Sequence, residues 1–351
     1  MKRKVAAAAL AGLMGIAIMS AAPAQADQAG ETPSEAESQE AIEEVTPEVF
    51  DSLHEDIVAS DSEATAEIDP GGDQTERMTV SLEASSSSIE VDPADGSAVT
   101  MSLVQATGAE TPADITNQGT LFADHASGIS STAVVKEDGS VQVVSTIADG
   151  TMTEEIPYEF DAEGLSYIQE SDDGALFLRA ADGSLLGGVA PAWAKDANGV
   201  EVPTHYEVTG TTVVQVVEHL AGDFQYPVVA DPFWGTNLFD YVRWINGVHV
   251  LKPSGWNRAI RMGAVNTPQA PNIGLSIIMA DGWNEFANRS PGRYNINHST
   301  RQQYYCHAVY GIDVLTNPTW DLEPYRPSLP KENWHEVFRH KCNWNYSNGN
   351  P

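Results

Sequence analysis

Six Asp-Gly or Asn-Gly dipeptides punctuate the middle of the chain: Asp95-Gly96, Asp138-Gly139, Asp149-Gly150, Asp173-Gly174, Asp182-Gly183 and Asn198-Gly199. Such a pair fits the centre of a tight hairpin turn, because glycine enters the left-handed backbone region without steric cost. The runs between the turns are short and rich in β-branched residues, as in SVQVVSTI and TTVVQVV. Turn signals at this spacing predict antiparallel hairpins over residues 89–232. Strand alternation places Val141, Val143 and Ser145 on one face and Gln142, Val144 and Thr146 on the other. Aromatic residues are scarce in this region, so the predicted core is a sandwich or meander of Val, Ile and Leu.

Composition changes abruptly near Ala230. Residues 27–230 contain 4 Lys/Arg against 41 Asp/Glu, whereas residues 231–351 contain 11 against 9, in a chain of 351 residues with net charge −32. Of the 28 Phe, Trp and Tyr residues, 18 follow Ala230. This break marks a domain boundary, and the length allows two domains. The acidic residues of the β-rich region fall largely in turns. They match no calcium loop with ligands at fixed offsets, so they read as a solvated face and no metal site is assigned.

The first residues carry Lys2, Arg3 and Lys4, an apolar run from Val5 to Met19, and the small-residue stretch ending Ala24-Gln25-Ala26. This pattern predicts a secretory signal peptide over residues 1–26, cleaved after Ala26, and a secreted extracellular protein. The apolar run is shorter than the roughly 18 residues that a membrane span needs, and no later segment reaches that length. Residues 27–88 are polar and acidic, without Lys or Arg from Asp27 to Glu76. Self-repulsion and the shortage of large apolar groups predict a disordered acidic spacer. Within it, Thr46 and Pro47 suit a helix start, with Phe50, Leu53 and Ile57 on one face, so a short helix is the exception to disorder.

Residues 233–351 read as a small C-terminal α+β domain. YVRWINGVHVLKP alternates about Asn246-Gly247, a strong hairpin signal. PSGWNRAIRMG starts with Ser254 as a helix cap and stops at Gly263. GLSIIMADGWNEFANRSPG reads as a second helix, weakened by Gly282. A third helix begins at Ser299 or Thr300 and runs to about Tyr310, ending before Gly311. On it Gln303, Cys306, His307 and Tyr310 share a face. Cys306 and Cys342 are the only cysteines, and in an exported chain they most simply pair. The alternative is a metal site on both thiolates with His307 and His340. The disulfide would join the helix of His307 to the tail of His335, Arg339 and His340. Closing its loop contributes on the order of 3–4 kcal/mol in the chain-entropy model.

The segment WDLEPYRP lies inside that loop. Pro324 and Pro327 push Glu323 and Arg326 towards extended or polyproline-like backbone, which would bring both side chains to one side. Trp320 and Tyr325 add apolar bodies with polar handles. Gln303, the Cys306-His307 pair, WDLEPYRP and the closing Cys342-Asn343, preceded by VHVLKPSGWNR, resemble the hallmark of domain of unknown function 2599, a family of exported proteins. The family usually carries Asn where Asp321 stands, and the resemblance implies domain identity without an activity. QYPVVADPFW, from Gln225 to Trp234, resembles the end of a β-rich leader found in exported proteins of high-GC Gram-positive bacteria.

Two functions suit these residues. One is a non-catalytic extracellular or envelope-associated binding module, with Trp320, Tyr325 and Gln303 as binding residues and an extracellular or cell-envelope ligand as partner. The other is a toxin-like hydrolase of the metal-independent ribonuclease type. There His307 would serve as general acid/base, Glu323 as its complement and Arg326 as the oxyanion or phosphate clamp. Nucleic acid is a partner only in this second reading, which the charge of residues 231–351 serves poorly. Alternatively, Glu323 and Arg326 form a structural ion pair. No dinucleotide, P-loop, serine-elbow or HExxH motif occurs, so no cofactor is assigned.

Overall fold

The structure, a computed structural model, describes residues 32–70, 76–104, 113–116, 119–125, 128–264, 273–310, 319–329 and 342–345. The signal-type segment, with its cleavage point at Ala26, lies outside them, as do Trp334, His335, Arg339 and His340.

The chain opens with helix α1 (Glu35–Val45) and a 3-10 turn over Pro47–Phe50. Five strands follow: β1 (Ile57–Ala59), β2 (Glu63–Ile68), β3 (Met78–Glu83), β4 (Ser88–Pro93) and β5 (Val99–Leu103). Next come β6 (Asp114–Ile115), β7 (Leu121–His125), β8 (Ile129–Val135), β9 (Val141–Ile147) and β10 (Glu155–Ala162). Then β11 (Leu165–Glu170), β12 (Leu176–Ala180), β13 (Leu185–Val189), β14 (Ala194–Lys195), β15 (Thr204–Thr209) and β16 (Thr212–Val217) lead to β17 (Val228–Ala230) and β18 (Phe233–Gly235). The C-terminal part adds β19 (Phe239–Ile245), β20 (Val248–Pro253), α2 (Gly255–Ala264), α3 (Ile273–Ile277), α4 (Trp283–Arg289), α5 (His298–Tyr310) and β21 (Trp320–Leu322).

Among the described residues, two antiparallel sheets form a sandwich. One runs β1-β2-β3-β4-β5-β10-β16-β15, the other β11-β12-β13-β18-β9-β8-β7-β6, with β17 joining β9 to β14. Val80, Leu82, Ile89 and Val91 of the first meet Leu121, Ile129, Val141 and Val143 of the second in one aliphatic core. The predicted alternation in β9 holds, since Val141 and Val143 enter this core while Val144 packs on the opposite face. In five of the six turns an Asp carboxylate accepts a main-chain N–H two residues on, as Asp182 does from Ser184 and Asp196 from Asn198, both at 2.9 Å, whereas at the sixth the Ser171 hydroxyl donates to Asp173. Pro227 and Pro232 bracket β17.

The disordered spacer is a correction. The described residues between 35 and 88 contain α1, the 3-10 turn, strands β1 to β3 and the first residue of β4. EATAEI in β2 carries Ala64, Ala66 and Ile68 into the core and turns Glu63 and Glu67 outward. Mean charge misses such a pattern, because these strands add to an existing sheet and need no core of their own. The predicted helix start at Thr46-Pro47 opens the 3-10 turn Pro47–Phe50, which is shorter than expected, and an unpredicted helix precedes it. A capping box of Ser34 and Glu37 begins α1, with Ser34 N donating to Glu37 Oε2 at 2.9 Å, and Thr46 ends it. Leu53 bridges to Lys136 and Ile57 is a strand residue. Helix α1 sets Ala41 and Ile42 against Val134, Val144 and Val229, covering the outer face of the second sheet. Buried Lys136 fastens the segment by donating to the Val49 and Asp51 carbonyls.

The C-terminal part is a three-stranded sheet, β19-β20-β21, packed on α2 to α5. Asn246 (φ 51°) and Gly247 (φ 86°) make the two-residue hairpin turn, in which Ile245 pairs with Val248. Ser254 caps α2 by accepting from Asn257 N at 3.1 Å. Between α3 and α4 the backbone passes through a π-helical turn, Ile278–Gly282, and the Tyr304 hydroxyl donates to the Ile278 carbonyl at 2.7 Å.

The boundary expected at residue 232 is crossed by packing in both directions. Strand β18 pairs with β9 and β13, and Trp234 lies in the sandwich core. Conversely, Ala175 and Phe177 of the sandwich belong to the C-terminal core beside Trp256 and Phe239. Polar contacts also fix the junction. Arg179 forms a bidentate pair with Asp281 at 3.0 Å on both arms. Asp138 accepts from Gly255 N at the start of α2. Buried Glu76 accepts from Val242 N at 2.6 Å.

Candidate functional site

The arm that follows β21 is held to α5 by side-chain amides. Gln303 pairs with the main chain of Glu323 on both sides, its Nε2 donating to the carbonyl at 3.0 Å and its Oε1 accepting from the N–H at 2.9 Å. The neighbouring Gln302 does the same for Leu329, at 3.2 and 2.9 Å. Each glutamine thereby supplies the donor and acceptor that an adjacent strand would offer. Asn297 Nδ2 donates to the Pro324 carbonyl at 2.8 Å while its Oδ1 caps α5 at Thr300 N, 3.0 Å away. The disulfide Cys306–Cys342 is present, with Cα atoms 5.4 Å apart, and packs with Leu329 and Trp344.

Glu323 to Arg326 is a turn, with Arg326 N donating to the Glu323 carbonyl at 3.1 Å. This corrects the polyproline geometry. Pro324 sits where its fixed φ favours a turn, and the turn also brings the two side chains together. Glu323 and Arg326 form an ion pair, and Arg326 Nη1 continues to the Trp344 carbonyl at 2.7 Å. One Glu323 oxygen accepts from Arg326 and the other from the Tyr325 hydroxyl, so both are engaged within the arm. That bond to Glu323 holds the Tyr325 phenol protonated above its ordinary range. His307 stacks parallel to Trp320, with ring centroids 5.6 Å apart, and its carbonyl accepts from Arg261 Nη2 at 3.2 Å.

The expected binding residues separate. Gln303 and Trp320 are fully buried, one clamping the arm and the other packing in the core with Phe239 and Tyr304. Tyr325 is 69% exposed. It borders a groove of about 550 Å³ with Pro324, Trp244, Gly247 and Tyr294 to Asn297. Trp244, on β19, is partly buried and lies over His249, 4.5 Å between centroids. It also lies flat on Gly292, where an added Cβ would come within 2.3 Å of the indole. Tyr294, from the 3-10 turn Arg293–Asn295, is 88% exposed. Sequence reasoning named Tyr325 but missed Tyr294, Asn295 and Gly292. Their only local signal is PGRYN, a turn sequence that says nothing about which ring it faces.

Beneath the groove, His249 is buried. Its Nδ1 is 2.8 Å from Ser290 Oγ, and burial pushes its pKa down to about 4. Glu285 accepts from Leu238 N and Phe239 N at 2.8 and 3.1 Å and pairs with Arg289, and burial raises its pKa. Both groups are structural supports.

Residues 253–345 match the model of a family described as protein of unknown function, DUF2599, in agreement with the resemblance carried by Gln303, Cys306-His307, WDLEPYRP and Cys342-Asn343. No curated protein and no solved structure shows significant similarity to the chain.

Proposed function

We propose that the chain is an exported, non-catalytic binding protein whose ligand occupies the groove of Trp244, Tyr294 and Tyr325. The observation that carries this reading is the exposure of two tyrosine rings, 88% and 69%, around a 550 Å³ groove, one of them on an arm fixed by side-chain amides. Large aromatic surfaces exposed to water suit a partner that covers them, because apolar area is then removed from solvent. The volume lies within the ~300–1,000 Å³ usual for ligand pockets. The basic and apolar start of the chain, residues 1–26, supports export, and with it an extracellular or cell-envelope ligand.

The test uses the chain recovered from culture medium, with its N-terminus expected at Asp27. Saccharides, peptides and phosphate-bearing lipid headgroups are titrated one class at a time, with indole N–H NMR signals as the readout. One class should shift the Trp244 signal, and Tyr294→Ala with Tyr325→Ala should abolish the shift while leaving the melting temperature nearly unchanged. RNA cleavage that disappears in His307→Ala would overturn the reading in favour of a hydrolase using His307, Glu323 and Arg326. Failure of every class to move the groove would also overturn it.

A further inference from the structure

A polar layer interrupts the aliphatic core between the two sheets. The first sheet supplies Tyr158 of β10, Tyr206 of β15 and Gln215 of β16. The second supplies Ser131 of β8 and Ser145 of β9, with Asp231 directly after β17. All of these side chains are buried, and Asp231 has no exposed surface at all. Two sets of contacts cross between the sheets. In one, Ser145 Oγ lies 2.7 Å from Ser131 Oγ and 3.2 Å from the Tyr158 hydroxyl. In the other, the main chain of Trp193, ahead of β14, joins the two sides. Its N–H donates to Asp231 Oδ1 at 3.0 Å, and its carbonyl accepts from Gln215 Nε2 at 3.2 Å.

Among the described residues, no cation pairs with the Asp231 carboxyl, and its Oδ2 has no hydrogen-bond partner. The titratable groups facing it are the phenols of Tyr158 and Tyr206, which burial and the Asp231 charge hold protonated above their ordinary range. The charged residues of the neighbouring strands, Glu155, Glu159, His205 and Glu207, alternate to the opposite face. Lys195 of β14 reaches away to Glu48, at 3.2 Å. Burial therefore prevails over the N–H groups of Trp193, Asp231 and Phe233, which favour the anion, and the carboxyl is pushed well above the usual carboxylate range. Ionised, it would leave an unpaired charge between the sheets, which costs far more than a neutral polar group there. As a neutral acid it brings an O–H donor to a layer in which Gln215 Oε1 is also an acceptor without a partner among the described residues.

We propose that Asp231 is a pH-sensitive latch, which as a neutral acid closes the polar layer between the sheets and on ionising in alkaline solution loosens β17. Strand β17 is the element affected because Asp231 follows its last residue, it pairs with both β9 and β14, and Val229 within it supports helix α1. An asparagine would supply the same shape with a permanent donor, so what the acid adds is dependence on pH. Below the ordinary carboxyl range the folded and unfolded chains both carry the proton. Above it the unfolded chain gives the proton up while the folded chain keeps it, so stability declines as pH rises until Asp231 itself ionises. The latch is independent of the binding reading above.

The experiment is urea unfolding of the full chain and of Asp231→Asn across a pH series, with the carbon NMR signal of the Asp231 carboxyl identified by its absence from the variant. Asp240, Glu285 and His249 also titrate with shifted pKa values, but they are common to both proteins and cancel in the comparison. Above the ordinary Asp value of about 3.9, the unfolding constant of the wild type relative to the variant should rise by up to about ten-fold per pH unit, until Asp231 ionises. The carboxyl signal should hold the neutral-acid position at neutral pH and move only in alkaline solution. There the β17 amides should exchange faster than in the variant at the same pH. Asp231→Asn, which mimics the neutral acid, should fold at neutral pH and be at least as stable as the wild type. An ionised signal at neutral pH would overturn the proposal, as would a ratio of unfolding constants that stays flat with pH. So would β17 amides that exchange alike in both proteins once the signal has moved, or an asparagine variant that fails to fold at neutral pH.

Discussion

Gln303 takes the place of a strand partner for Glu323, and this fixes what its loss should do. Gln303→Leu keeps the buried volume but strips the Glu323 N–H and carbonyl of their partners. The expected cost is about 1–3 kcal/mol, read by denaturant unfolding. Wild-type stability in the leucine variant would remove the amide clamp from the account. His249 provides a pH signature. Its pKa is about 4 when folded, against 6.5 for an unperturbed histidine. As pH falls below 6.5 the unfolded chain takes up a proton that the folded chain refuses, so this contribution declines until about pH 4. The amount at stake is up to roughly 3 kcal/mol. Buried Asp231, Asp240 and Glu285, whose pKa values are raised, act in the opposite sense, so the test is a comparison with His249→Asn. The melting-temperature gap between the two proteins should change steadily across that window. A constant gap would show that His249 does not titrate this way. The helical spacing of Gln303, Cys306 and His307 was legible in the sequence. The partner of Gln303 was not, because a bond from a helix to an arm 20 residues later leaves no periodic trace.

At the scale of elements, the disulfide and the hairpin turn were both read from the chain because each has a local or arithmetical signature. Two cysteines have one possible pairing, and Asn-Gly has one preferred turn. The start read at Thr46-Pro47 belongs to the 3-10 turn, whereas helix α1 before it was missed, although Ser34 and Glu37 carry the capping signature. Acidity also obscured the alternation in β2, where small alanines form the buried face. The disulfide anchors the arm to α5, so replacing both cysteines with serine should lower stability by on the order of 3–4 kcal/mol. A double variant as stable as wild type would show that the amides suffice. Gly292→Ala tests the packing of the 3-10 turn against β19. The new methyl collides with the Trp244 indole, so the Trp244 signal should move and ligand affinity should fall, with the sandwich unperturbed.

At the scale of the whole molecule, the change in composition near Ala230 does not mark a clean physical division. The sandwich contributes Ala175 and Phe177 to the C-terminal core, and Asp138, Arg179 and Glu76 satisfy groups of the C-terminal part. Residues 233–351 expressed alone should therefore bind hydrophobic dyes and unfold without a sharp transition, because an exposed apolar face and an unpaired Asp281 replace the junction. A sharp transition at the full chain's melting temperature would show that the domain is self-sufficient. Composition reports which residues are used, whereas packing across a junction depends on where the loops lead.

The central claim is that the arm is held in place before any ligand arrives. Amide hydrogen exchange of the unliganded chain tests it most directly. Glu323 and Leu329, whose N–H groups donate to Gln303 and Gln302 of α5, should exchange as slowly as residues of the small sheet. Exchange of both amides at the rate of an open loop would contradict the claim.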